Sequence, residues 1–581
     1  METWLRLDCR CLCREAEQAA RIAAERIGEM TGSGRAELRL TFSETETEGY
    51  VIEVAAPFEV RIGANRSRNF IAGLGELLRL LLASADEAGA FGSGARSASS
   101  PEPAWPGLPA GRKEYIPAVK ERIHYLPGHF GNSFEVCWEG EMRRYLEDLA
   151  LSGASGYGDW FDPNDMPDPY HPHVFHSSSM FLWRRKKGWL KISQELGLDN
   201  VLVVTPNIGF VDQMRPEWVG VRDHKLRVQG QVLCPSNPEA RQVILNNHRQ
   251  LFEDLAQSGI RIGKIVCAPY DDGGCACPKC QPYYPVFLKL VHDVYEAARP
   301  SFPELKADIC GWWTSEEESA HLREFALGPA RDWFGAYQLS AAYDVRALDA
   351  GVRSRIGDMK LGCFLHIGFS RDRRDVYTQT GVHSAARRLQ SVIGSFSLPN
   401  CESFMTYNES FGDHYNAFVA GLLGYDPQRD AREIALFYGR LVLGLGGDRL
   451  RTFADVLLEM EDLDGAQAEA WTAALREMAP YVRTGESQEW AFEHVRLKAE
   501  LMRLDHRITG RLAAGEEPEL PVMRERLKLT ERLWRRVYGL GVLRHILIPE
   551  RMLPSWYSVY RDCIEKGEEE RIESGHMAED A

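Results

Sequence analysis

Eight short apolar runs recur across the middle of the chain, at 122–125, 153–157, 201–205, 262–268, 306–311, 333–339, 361–367 and 403–407, with helical periodicity between them. Runs this short and this uniformly apolar read as strands buried on both faces, which is what crossover helices do to a parallel sheet. Eight such strands close a barrel whose interior is filled by side chains. The pattern therefore predicts an α/β fold, a (β/α)8 or TIM barrel, over residues 113–425. Each run ends in a polar or aromatic loop: Gly128-His129-Phe130, Gly158-Asp159-Trp160-Phe161-Asp162, Pro206-Asn207, Tyr270-Asp271-Asp272, Trp312-Trp313, Tyr343-Asp344, Gly368-Phe369 and Asn408-Glu409. In such barrels the chemistry sits where these loops emerge, so the eight ends predict one composite site.

The flanks have a different texture. Residues 1–82 show strand-like runs at 4–11, 37–42, 50–55 and 58–62 and helical spacing at 15–30 and 70–82. Two helices laid on one face of a small sheet bury those stripes, giving an N-terminal α/β sandwich domain. Residues 83–112 turn to Ala, Gly, Ser and Pro, the composition of a linker. Residues 426–581 carry long helical stripes, at 466–482, 489–511 and 522–546. They predict a helical C-terminal domain that packs on the barrel or, as a homodimer, on a second subunit. The charged stretch 565–581 is expected to fray.

The net charge of −15 leaves no basic footprint of the kind that nucleic acid or an anionic lipid surface selects. No stretch approaches the roughly 18 uninterrupted apolar residues of a membrane helix, and Glu2, Arg6 and Asp8 interrupt the N-terminus where a signal peptide would be apolar. Neither nucleic acid nor a membrane is an expected partner. The 13 cysteines are odd in number, and Cys137, Cys267, Cys310, Cys363, Cys401 and Cys563 stand singly. Reduced thiols and a cytoplasmic location are the expectation. Cys9, Cys11 and Cys13 alternate along a strand, which places them on one face and predicts core packing.

Several residues carry chemistry. Asp271 and Asp272 follow the fourth run, and repulsion between adjacent carboxylates raises one pKa, so that a proton can be held for general acid work. A solvated Asp-Asp-Gly-Gly turn is the alternative. Cys275, Cys277 and Cys280, with Cys234 as a distant fourth, fit a tetrahedral structural zinc site, against the alternative of unligated buried thiols. No organic cofactor is implied. Trp312 and Trp313 offer a platform on which a sugar ring can stack, and Tyr157, Trp160, Tyr270, Tyr337 and Tyr407 offer walls. His129, Asn207 and Asn408 complete the loop ends. Glu409 would bind sugar hydroxyls or, in a two-carboxylate mechanism, serve as nucleophile or base. His171, His173 and His176 lie in a Pro- and Asp-rich loop that reads as a lid, with a metal site as the alternative.

Three segments together resemble the hexosaminidases, O-GlcNAcases and α-glucuronidases, in which a small α/β domain precedes a catalytic barrel. They are Tyr50-Val51-Ile52-Glu53-Val54 through Ile62-Gly63-Ala64-Asn65 to Gly73-Leu74; Leu233-Cys234-Pro235-Ser236-Asn237-Pro238 with the segment from Asp271 to Cys280; and Asn416-Ala417-Phe418-Val419 with Gly421-Leu422-Leu423-Gly424-Tyr425-Asp426-Pro427. The resemblance covers roughly residues 37–444. It implies an exo-acting glycoside hydrolase with a carbohydrate substrate, a retaining β-N-acetylhexosaminidase in which Asp271 polarises the 2-acetamido group and Asp272 is the general acid. Two other outcomes stay open. One is an α-glucuronidase-like or other exo-glycosidase without acetamido assistance, which would need a cation such as Arg122 or Arg371 for a substrate carboxylate. The other is a non-catalytic carbohydrate-binding barrel.

Overall fold

The structure is a computed structural model. It describes residues 5–29, 36–87, 107–129, 132–161, 167–171, 178–222, 232–269, 274–311, 314–342, 357–368, 384–395, 400–462, 465–483 and 486–537.

The N-terminal sheet contains β1 (Leu5–Cys11), β2 (Ala36–Glu44), β3 (Tyr50–Ala56), β4 (Glu59–Ala64) and β5 (Gly111–Tyr115), in the order β1-β2-β4-β3-β5. Its helices are Glu17–Gly28 and Ser67–Glu87. Leu38, Leu40, Phe42 and Ile62 from the sheet join Ile22, Ile27, Phe70 and Leu77 from the helices in one core. The fifth strand has no counterpart in the sequence reading. Its Gly-Arg-Lys-Glu-Tyr sequence shows no apolar alternation, and it is held by backbone pairing with β3 and by Tyr115 stacked on Tyr50 at 4.9 Å. Of the three alternating cysteines, Cys9 and Cys13 pack against the core while Cys11 is exposed. The expectation of core packing fails for Cys11, which sits at the end of an edge strand.

The barrel closes as predicted, with all eight strands parallel: β6 (Glu121–Tyr125), β7 (Gly156–Trp160), β8 (Asp199–Val204), β9 (Lys264–Cys267), β10 (Lys306–Cys310), β11 (Phe334–Ala342), β12 (Leu361–His366) and β13 (Cys401–Tyr407). Ile123, Val201, Val203, Val266, Phe364 and Met405 fill its interior. Towards the amino-terminal ends of the strands the interior is polar. Lys264 Nζ lies 2.5 Å from Glu121 and 3.1 Å from Asp308, whose other partners are Gln338 and the Ala336 amide.

β7 begins three residues later than the 153–157 run suggests. Gly153, at φ 103, still belongs to the turn that ends helix Glu139–Leu151. Left-handed φ favours glycine, and a side chain there would strike the Tyr425 ring. The delay draws Asp159 and Trp160 into the strand, with Trp160 facing the barrel interior.

Helix His414–Tyr425 follows β13 and is buried along its whole length. The helices Ala431–Leu441, Gly447–Met460, Ala468–Met478, Glu486–Ala513 and Leu520–Val537 complete the chain's described C-terminal part. The stripe at 466–482 breaks at Met478 into a 3-10 turn containing Pro480, since proline cannot continue a helix with its hydrogen bonding intact. Trp490 lies edge-on to Phe411 at 6.0 Å, so this part packs on the barrel. An ionic cluster, buried at Arg26 and Asp148 and partly exposed at Glu29 and Arg483, ties the three parts together: Arg26 to Asp148 at 2.7 Å, and Glu29 to both Arg144 and Arg483 at 2.8 Å. Among the described residues no helix is long and apolar enough to cross a membrane.

Candidate active site

Three residues singled out in the sequence meet at one side of the barrel mouth, because β13, β6 and β7 are neighbours. The His129 ring stands edge-on to Trp160 at 5.6 Å, and its Nε2 lies 3.9 Å from the Glu409 carboxylate. Beneath them is an aromatic floor. Tyr407 lies 5.6 Å from Tyr125, 5.8 Å from Phe364 and 5.3 Å from His366, ring centre to ring centre. An aromatic floor ringed by an imidazole and a carboxylate suits a ligand with apolar C–H faces and hydroxyl edges.

Two groups that sequence reasoning missed hold this side in place. Asp159 accepts hydrogen bonds from the Gly128 and Trp160 amides, at 3.1 and 2.7 Å, and from Tyr157 OH. Lys186 lies 3.3 Å from the same carboxylate and donates to the Trp160 carbonyl at 2.6 Å. Both side chains are buried, a condition in which a charge needs a partner. The pair fixes the backbone on which His129 and Trp160 are mounted. Lys186 gave no signal because it is one of several cations in a polar helix, Ser178–Glu195.

The second missed group is Asp413. Its carboxylate accepts from the Glu409 amide at 2.6 Å and the Ser410 amide at 3.3 Å, so it shapes the turn that carries Glu409. Burial, with Glu409 adding to it, pushes the Asp413 carboxyl well above its ordinary range. A neutral amide should therefore replace it. Asp413→Asn is expected to keep turnover close to wild type and to be more stable in urea near neutral pH, since it has no proton to lose on unfolding. Asp413→Ala, which strands two buried amides, should cost about 1–3 kcal/mol. If the Asn variant proves as damaged as the Ala variant in urea melts, the carboxyl is not acting as a neutral acceptor.

Asn207 and Asn408 reach protein atoms. Asn207 donates to the Leu233 and Gly274 carbonyls at 3.0 and 2.9 Å and accepts from the Gly274 amide and Tyr283 OH. That uses the whole capacity of a side-chain amide. It ties the loop after β8 to Gly274, two residues beyond the acidic pair. Asn408 donates to the Tyr125 carbonyl and to Thr406. Tyr337 and Tyr157 lie outside the barrel wall, in the layer against the helices, because neighbouring strand residues point to opposite faces. Tyr337 is thus not at the mouth where the sequence reading put it. Arg122, at the amino-terminal end of β6, bonds the Gly153 and Lys120 carbonyls and covers the Tyr425 ring at 4.5 Å. That position removes it from any role in gripping a substrate carboxylate. His171 is exposed and paired with Asp168 at 3.0 Å.

Tyr270, Asp271, Asp272, Trp312 and Trp313 lie outside the described residues, as do His173, His176 and Arg371. The chain enters the acidic segment from Ala268, whose amide bonds Val204 at the end of β8, and leaves it at Gly274.

Directly beyond Gly274, the sulfurs of Cys234, Cys275, Cys277 and Cys280 all lie within 4.8 Å of one another, an arrangement that could bind a metal ion. Cys275 and Cys280 are buried, and Cys234 and Cys277 half-buried.

No protein-family profile matches the sequence, and no curated protein does. Solved structures do match. CpGH84D, of glycoside hydrolase family 84, aligns with 96% of this chain and 97% of its own at 10% identity and a TM-score of 0.51. The family 89 glycoside hydrolase from Clostridium perfringens, in complex with PUGNAc, aligns with 84% of this chain and 62% of its own at 11% identity and a TM-score of 0.52. A second structure of a Clostridium perfringens family 89 glycoside hydrolase, with 2-acetamido-1,2-dideoxynojirmycin bound, gives 10% identity over the same shares and a TM-score of 0.51. At this identity the likeness is one of fold: this chain is similar to hexosaminidase-type glycoside hydrolases in carrying its barrel within a larger shared architecture.

Proposed function

We propose that the protein is an exo-acting glycoside hydrolase, a retaining β-N-acetylhexosaminidase that uses the substrate's own 2-acetamido group as nucleophile. The observation that carries the reading is the adjacent acidic pair, Asp271 and Asp272, following the end of β9 in this barrel. Asp271 orients and polarises the acetamido group, whose oxygen attacks the anomeric carbon. Asp272 donates its proton to the departing glycosidic oxygen. It then takes a proton from the water that opens the cyclic intermediate from the face the aglycone left. The aromatic floor, Trp160 and His129 support a sugar-sized ligand, with Glu409 as acceptor for its hydroxyls. Asn207 serves as a positioning residue for the acidic segment. A neighbour in fold that holds a 2-acetamido ligand adds to the case.

The chemistry needs no organic cofactor, and the metal that the four cysteines could hold would be a structural zinc. A reducing, cytoplasmic location fits the free thiols. The test is to follow the first-formed anomer by NMR with an aryl 2-acetamido-β-glycoside. Retention is expected, with little turnover of the matching 2-hydroxy glycoside. Net inversion, or equal turnover of the two, removes acetamido assistance.

A further inference from the structure

We propose that Cys234, Cys275, Cys277 and Cys280 form a tetrathiolate zinc centre whose occupancy sets the position of the Asp271–Asp272 segment, making turnover metal-dependent although the metal touches no substrate. The first support is geometric. With Zn–S bonds of about 2.3 Å, the sulfurs of a regular tetrahedron lie about 3.8 Å apart. Cys234 Sγ lies 3.7 Å from Cys277 Sγ and 3.8 Å from Cys280 Sγ. These separations are far longer than a disulfide bond of about 2.05 Å. Four thiols converging at ligand spacing are soft donors of the kind that select zinc over calcium or magnesium.

The second support is where the centre is anchored. Cys234 comes from the loop after β8, which is tied down by the bridges Ile208 to Val232 and Val219 to Leu233 and by the bond from the Cys234 amide to the Trp218 carbonyl. The other three ligands come from the chain leaving β9. Their backbone is fastened by the Ala276 amide to the Val221 carbonyl and by Gln281 to the Cys275 carbonyl. One ion therefore joins the loops of two adjacent strands. Asn207 repeats the connection one residue earlier, at Gly274. The acidic segment is short and enters from a strand end, so fixing Gly274 and Cys275 fixes its exit. A displacement of about 1 Å at a reacting group can cost on the order of 100-fold in rate.

The metal arm of the test stands apart from the hydrolase reading. Full-length protein purified without added metal should contain close to one zinc per chain. Zinc should be lost in Cys277→Ser and kept in Cys13→Ser, whose thiol belongs to a separate group with Glu15 and Glu44. Cobalt(II) added to chelated wild-type protein should give thiolate charge-transfer bands and the d–d bands of a tetrahedral ion, a readout that needs no variant to fold. Absence of zinc and of those bands overturns the centre, as does zinc that follows Cys13.

The positioning arm compares zinc-loaded with chelated protein. Hydrogen exchange should quicken over 262–282 and not in the N-terminal sheet, and kcat should fall about 100-fold while KM stays within a few-fold. Cys277→His, which restores a zinc ligand, should recover most of both. Unchanged exchange, or an equal loss in KM, overturns the positioning role. Intact zinc and exchange effects with no glycosidase activity would instead count against the function proposed above, on which only the kinetic readout rests.

Discussion

Asp272→Asn is expected to lose about 10²–10⁴-fold in turnover of substrates with a poor leaving group, yet far less with an activated aryl glycoside. An amide cannot give a proton to the departing oxygen. A phenolate that leaves without one does not ask for it. Asp271→Asn should damage both substrates alike, because a misoriented acetamido oxygen attacks slowly whatever leaves. The contrast separates the two carboxylates although they are neighbours in the chain, and it is internal to each variant, so a general loss of folded protein cannot mimic it. If Asp272→Asn damages the two substrates equally while Asp271→Asn shows the leaving-group dependence, the roles are reversed. Full activity in both variants would move catalysis away from the pair. The carboxylate to examine next would be Glu409, held across the mouth by the Asp413 turn.

The barrel was legible because burial on both faces writes itself into a strand as an unbroken apolar run, and eight such runs admit few closures. The N-terminal sheet was legible except for β5. An edge strand held by its backbone and by one tyrosine stack has no need of an apolar pattern. The site was legible in part. His129, Trp160 and Glu409 were found from their place at strand ends, and they do meet. Tyr337 was misplaced because it sits within β11, where a shift of one residue decides between barrel interior and helix layer, and sequence does not fix that parity. Lys186 and Asp413 were invisible for a different reason. Their importance lies in what they grip, the backbone of Trp160 and of Glu409, and backbone partners leave no trace in side-chain pattern. The cysteine quartet was legible in full: three members through local spacing and Cys234 as the distant fourth, which the adjacency of β8 and β9 brings to them.

Acid should unfold the protein at a pH well above that at which carboxylates are protonated, and the cause is three fully buried histidines. Burial, aided by Arg122 and His414, holds His124 down to about 3. Burial holds His248 down to about 4 against the pull of its bond to the Ile244 carbonyl. Burial outweighs Asp148 to hold His414 down to about 4, with Arg26 and Arg144 adding to the depression. Each stays neutral in the folded state, while the unfolded chain takes up a proton near the ordinary value of about 6.5. The unfolded state then binds more protons, so stability rises with pH and is lost as pH falls below about 6.5. Between neutrality and pH 5 each histidine accounts for about 2 kcal/mol of loss. Asp413 works in the opposite sense, since its raised carboxyl keeps a proton in the folded state that the unfolded chain gives up. The raised carboxyl of Asp308 opposes in the same way, but the three histidines outnumber the two carboxyls, so unfolding near pH 5 takes up protons and stability falls with pH. Urea midpoints measured from pH 7.5 to 5 should fall steeply. Asp413→Asn, which removes one opposing group, should make the fall steeper, and His248→Gln should make it shallower by about one histidine's share. A midpoint that holds steady or rises towards pH 5 would mean that these imidazoles are protonated, and therefore solvated or paired, in the native protein.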